Sequence, residues 1–134
     1  MSILERIISI VAPHSCLICQ QEGSLLCGRC ASDAFEPIPS RCYRCYRLTV
    51  DSSVCRACRR NTKLKHVWVA TEYTGIAKQL VRTFKFERAQ AAASLLAQSV
   101  AQSLPYLQDT IIVPIPTASS RRRARGYDHT KLLA

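Results

Sequence analysis

Apolar positions near the N terminus fall at spacings of three and four: Ile3, Leu4, Ile7, Ile8 and Val11. That spacing predicts a short amphipathic helix over 1–14, ending before Pro13. It is too short to cross a bilayer and is interrupted by Glu5 and Arg6, so packing against the rest of the protein is expected and no transmembrane segment. Regular patterning resumes only after Lys65. "HVWVATEY" (66–73) alternates apolar residues with a β-branched and aromatic bias, which predicts a strand, and Gly75 breaks it. In "GIAKQLVRTFKF", Ile76, Leu80, Val81 and Phe84 recur with a helical period. The alanine-rich "RAQAAASLLAQSVAQSL" predicts a second helix with Leu95, Leu96, Val100 and Leu104 on one face, ended by Pro105. "DTIIVPIP" is a nearly continuous apolar run of the kind found in buried parallel strands. An arginine-rich loop follows, and "YDHTKLLA" opens another helix. Strand, helices, strand, loop and helix predict an α/β domain with a parallel sheet over 66–134, only part of which is spelled out here.

The stretch in between, 15–65, has another logic. All eight cysteines fall into four CxxC pairs: Cys16/Cys19, Cys27/Cys30, Cys42/Cys45 and Cys55/Cys58. A CxxC turn brings two thiolates within reach of one tetrahedral cation, and two such turns close a four-thiolate site. Eight cysteines therefore predict two zinc ions and a double zinc ribbon. Pairing in sequence order would use Cys16, Cys19, Cys27 and Cys30, then Cys42, Cys45, Cys55 and Cys58. An interleaved cross-brace would use the same residues. Disulfides fit less well, because no signal peptide is evident and neighbouring CxxC cysteines make poor structural bridges. Four thiolates leave no open position for water, so the metal is expected to support folding, and no catalytic residue is assigned. "SDAFEPIPSR", with Pro37 and Pro39, reads as an extended connector between the two ribbons.

Charge adds a partner class. Over 134 residues, 19 Lys and Arg face 9 Asp and Glu, a formal net charge of +10, with the excess present in both halves of the chain. Such a surplus suits a polyanion. Around the second set of cysteines, basic and aromatic side chains mix: Arg41, Tyr43, Arg44, Tyr46, Arg47, Arg56, Arg59 and Arg60, with Lys63 and Lys65 beyond. Arginine tracks phosphates and tyrosine stacks on unpaired bases, so a single-stranded nucleic acid is the expected ligand of this surface. The plain alternative is that a small metal module has nowhere to put polar side chains but outward. After the 110–116 run, Arg121, Arg122, Arg123 and Arg125 with Gly126 sit where a strand-to-helix loop could cradle phosphate.

These segments together resemble the ComF family of late competence, amidophosphoribosyltransferase-like proteins. The paired CxxC motifs are similar to that family's zinc-ribbon region, and "EYTGIAKQLVRTFKF" resembles its "Y-x-G … I-x-x-x-K-Y/F" helix. "VPIPTASSRRRARGYDHTKLLA" resembles its "VPVP … RR … RGFNQ … LLA" signature, with Tyr127, Asp128 and His129 where the family commonly shows Phe, Asn and Gln. The resemblance implies a type I phosphoribosyltransferase-like fold. Pro116, Thr117, Arg121, Arg122, Arg123, Arg125 and Gly126 would then lie near the pyrophosphate of phosphoribosyl pyrophosphate. It also implies handling of single-stranded DNA during natural transformation, with DNA-uptake or recombination proteins as partners; with no targeting segment evident, a cytoplasmic location is expected.

One departure limits that carry-over. The family's two-acid, Thr/Gly-rich phosphate motif has no counterpart, and Asp128 is the sole acidic residue after 109. The chain is accordingly expected to be an N-terminal portion, inactive as a transferase. Magnesium and phosphoribosyl pyrophosphate would matter only in a longer form. A phosphoribosyltransferase fragment and a zinc-ribbon protein adaptor are the alternative readings. Self-association through an open sheet edge is also expected.

Overall fold

The computed structural model describes residues 14–87, 89–105 and 108–134; the helix expected over 1–14 lies outside them but for His14. The described chain folds as six α-helices and one 3₁₀ turn: α1 (Gly28–Ala34), the turn Val50–Ser52, α2 (Arg56–Arg59), α3 (Gly75–Phe86), α4 (Ala92–Ser103), α5 (Ser119–Arg125) and α6 (His129–Leu133).

The N-terminal half contains a structural repeat. In each copy a CxxC turn is closed by one antiparallel bridge, Ser15 with Glu22 and Arg41 with Leu48. The backbone bonds match: Cys16 N–H donates to Gln21 and Cys42 N–H to Arg47, while Gln20 and Tyr46 donate back to Cys16 and Cys42. The residue after the second cysteine of each turn, Gln20 or Tyr46, sits in the left-handed region at φ 60. The second CxxC of each copy starts a helix, with Cys27 at the N-cap of α1 and Cys55 at the N-cap of α2.

The two copies differ in what supports them. In the first, Leu25 joins Leu80, Phe84, Ala92 and Leu96 in the main buried cluster, and Leu17 and Phe35 pack on its edge. Cys16, Leu26 and Cys30 form a second cluster against Ile76 and Leu95. The first module is therefore part of the helical core. In the second module only Cys42 and Val54 are buried, and neither belongs to these clusters.

Helix α3 forms as its pattern predicts, burying Ala77, Leu80, Thr83 and Phe84 and leaving Lys78 and Arg82 in solvent. On α4 the buried stripe is Ala92, Leu96 and Ser99, with Leu95 half-buried beside it. The expected face is rotated from this: Val100 is 42% exposed and Leu104 lies beyond the last turn. Ala92 packs with Leu80 and Phe84 of α3, and its small side chain lets the two helices approach there.

The expected parallel sheet is not formed among the described residues. Residues 66–73 form no strand and bridge only at His66, with Ser53. Residues 110–117 form no strand, with Ile111 at 86% and Ile115 at 79% exposure. A strand acquires its buried character from the strands beside it, and among the described residues no strand lies along this run, whose Ile115 carbonyl instead takes the Thr130 hydroxyl.

Candidate metal centres and basic surface

Both modules bring four thiols together. The sulfurs of Cys16, Cys19, Cys27 and Cys30 lie within 4.8 Å of one another, as do those of Cys42, Cys45, Cys55 and Cys58. The grouping follows sequence order, so the cross-brace alternative is set aside. All eight are free thiols. The Cys19 and Cys27 sulfurs stand 3.7 Å apart and those of Cys45 and Cys55 3.6 Å. A tetrahedral ion held at about 2.3 Å by each thiolate sets neighbouring sulfurs about 3.8 Å apart, so the donor sets fit one ion each.

Their electrostatics repeat as well. Backbone N–H groups lower the Cys16 thiol to about 6, that of Cys19 first and those of Cys27 and Ile18 after it. Cys42 is likewise held at about 6, chiefly by the N–H of Cys55. Cys30 and Cys58 are pushed up to about 12, because each shares a hydrogen with the neighbouring sulfur, Cys27 or Cys55, and is partly desolvated. Four sulfurs this close cannot all carry charge without a cation between them. Two four-cysteine sites compatible with two metal ions are the chemical content of this half of the chain.

The predicted basic surface is concentrated where the second module lies. Residues 41–65 hold eight basic side chains and one acidic one, Asp51, whereas residues 14–40 hold Arg29 against Glu22, Asp33 and Glu36. Arg41, Arg44, Arg47, Arg56, Arg59, Arg60, Lys63 and Lys65 are all exposed. Arg56 and Arg59 share a face of α2. The Arg44 guanidinium donates to the Asn61 carbonyl at 2.6 Å, which ties the two halves of the module. Tyr43 is half-buried and hydrogen-bonded to Thr62, while Tyr46 is 71% exposed.

The arginine segment is a helix and not the expected loop. Arginine and alanine favour helix, and Gly126, at φ 85, ends α5 with its N–H on the Arg122 carbonyl. On a helical period Arg121 and Arg125 share a side while Arg122 and Arg123 point elsewhere, so the four do not converge. Arg125 is engaged: it lies 5.5 Å from the Phe86 ring centre and donates to His129 Nδ1 at 2.9 Å. Pro116 is exposed. Thr117 donates to Asp128 Oδ1 at 2.7 Å, and the Asp128 carboxylate also takes the Thr130 hydroxyl at 2.8 Å and caps α6. Those hydroxyls, Thr117 first, hold Asp128 at about 2. Since arginine can only donate, Nδ1 carries a lone pair and His129 is neutral, as burial and then Arg125 and Lys85 also dictate by lowering its pKa.

Sequence reasoning missed this Thr117–Asp128–His129–Arg125 network. Its one sequence signal is an aspartate directly before "HTKLL", the position of a helix N-cap. Compared with known proteins, the chain matches no family model, no curated protein and no solved structure.

Proposed function

We propose that the protein is a zinc-stabilised, ComF-type competence protein whose second four-cysteine module binds single-stranded DNA. Four thiolates in a closed tetrahedral set favour zinc, which has no redox chemistry and no geometric preference of its own. The observation that carries the reading is the charge of 41–65: eight exposed cations and one carboxylate around a single metal site. A zinc ion with four thiolates has a net charge of about −2, far less than those cations could neutralise. The remainder is available to phosphates. The first module, whose own surface is acidic, serves as the anchor to the helical core.

In the same reading, 66–73 and 110–116 enter a phosphoribosyltransferase-like parallel sheet. The wide exposure of Ile111, Ile112, Val113 and Ile115 supports this, because an extended apolar run is stable in water only beside further strands. Cytoplasmic handling of incoming single strands, with recombination proteins as partners, follows from the competence reading.

The test is fluorescence anisotropy of a labelled single-stranded oligonucleotide with zinc-loaded protein over a salt series. Binding should weaken steeply with salt and fall again in an Arg47, Arg56, Arg59 triple alanine variant. Arg44 is left intact because of its bond to Asn61. No binding at low salt would overturn the proposal and direct attention to protein partners.

A further inference from the structure

Against the second metal module, with Cys42 in its wall, lies a groove of about 440 Å³. Tyr43, Tyr46, Val67 and Val69 line it, and Arg41 and Glu72 border it. The position is a product of folding. The Ser53–His66 bridge and the Val67-to-Ser52 hydrogen bond fasten the start of the 66–72 segment to the module. Val67 lines this groove alone, Trp68 lines the neighbouring cavity, and Val69 stands between the two and touches both.

We infer that this groove seats one unpaired nucleobase of the bound strand, with guanine preferred; the inference rests on the single-strand reading above. The volume falls within the range of small-ligand sites. The walls supply an aromatic face and aliphatic packing, which is what a flat heterocycle needs. Tyr46 is 71% exposed, and among the described residues its ring stacks on no other. Arg41 lines the groove, and the module it belongs to carries seven more exposed cations for the strand's phosphates.

The two charged residues at the border choose the base. Glu72 has no ion pair or side-chain hydrogen bond among the described residues. A carboxylate accepts the parallel N1–H and N2–H donors of guanine, while an arginine donates to guanine O6 and N7. Adenine and thymine offer no such pair of donors, and cytosine offers only its N4 amino group.

The experiment compares zinc-loaded protein with Tyr46→Asn and Glu72→Gln variants, each first checked for zinc content. Asparagine at 46 removes the ring yet tolerates the left-handed φ of 60 found there. Labelled oligothymidylates carrying one central guanine or one central adenine are measured by anisotropy at fixed salt. The guanine strand should bind about tenfold more tightly than the adenine strand. Tyr46→Asn should weaken both by roughly tenfold, and Glu72→Gln should reduce the guanine preference while leaving adenine-strand binding unchanged.

Salt-dependent binding of all strands, with no base preference and no effect of Tyr46→Asn, would overturn the groove while leaving the single-strand reading intact. A parallel titration with GMP, followed through the amide signals of Val67 and Val69, separates the remaining cases. Shifts there without strand binding would uphold the groove and defeat the single-strand reading. No shifts and no strand binding would defeat both. Shifts that depend on protein concentration without nucleotide would assign the groove to a second copy of the chain and overturn the inference.

Discussion

Loss of metal should have opposite reach at the two sites, and Cys16→Ser against Cys42→Ser is the comparison that shows it. A structural zinc site contributes on the order of 10–16 kcal/mol to the fold it closes. At the second site that energy holds only its own module, since Cys42 and Val54 are the buried residues of 41–65 and neither touches the helical clusters. At the first site the same loss releases Leu25 and Leu26 from the core. Each buried leucine is worth about 1.5–3 kcal/mol, so the pair represents roughly 3–6 kcal/mol. A domain of this size has only about 5–15 kcal/mol in hand. At a few degrees per kcal/mol, Cys16→Ser should lower the melting temperature of the helical part by roughly 10–20 °C. Cys42→Ser should lose one zinc, lose amide protection across 41–65, and leave that transition within about 3 °C of wild type. Thermal melts by far-UV circular dichroism, with zinc counting and hydrogen exchange, read all three quantities. Equal melting shifts for the two variants would refute the asymmetry, and a Cys42→Ser protein that keeps two zinc ions would refute the site itself.

Zinc affinity should rise with pH. Cys30 and Cys58, held protonated up to about 12 without metal, must each release a proton to bind it. That alone gives about tenfold per pH unit or more at each site, measured by chelator competition between pH 6 and 8. Below about 6, Cys16 and Cys42 also take up protons and the dependence steepens; a flat profile would contradict this. Tyr127→Phe removes the hydroxyl that donates to the Phe84 carbonyl in the last turn of α3 but keeps the ring against Phe84. A loss of about 0.5–1.5 kcal/mol in urea unfolding is expected, and an unchanged midpoint would show the bond to be worthless. Gly126→Ala meets no atom within 4 Å but forces alanine to φ 85. The cost should be about 1 kcal/mol, entirely from backbone conformation, so Gly126→Asn should recover much of it.

What the sequence determined by itself was local. CxxC spacing defined eight thiols that come together in fours, because the turn that pairs two cysteines is encoded within a handful of neighbouring residues. The apolar period of 75–86 defined α3 and its buried face for the same reason. Tertiary structure decided everything that depends on a neighbour distant in the chain. It chose sequential over interleaved pairing, since both use identical residues. It placed one metal module in the core and left the other on the surface, a distinction carried by Leu17, Leu25 and Leu26 meeting α3 and α4. The stripe on α4 shifted toward Ala92, which meets Leu80 and Phe84 of α3, because helix packing rewards close approach as well as hydrophobicity. The arginines became a helix whose side chains diverge, and Thr117 and Arg125, expected at a phosphate, are bound to Asp128 and His129. The groove beside Tyr46 exists only because Ser53 and His66 bring the 66–72 segment against the module. Periodicity reports which side of an element is apolar, but only the packed chain decides which neighbour that side meets.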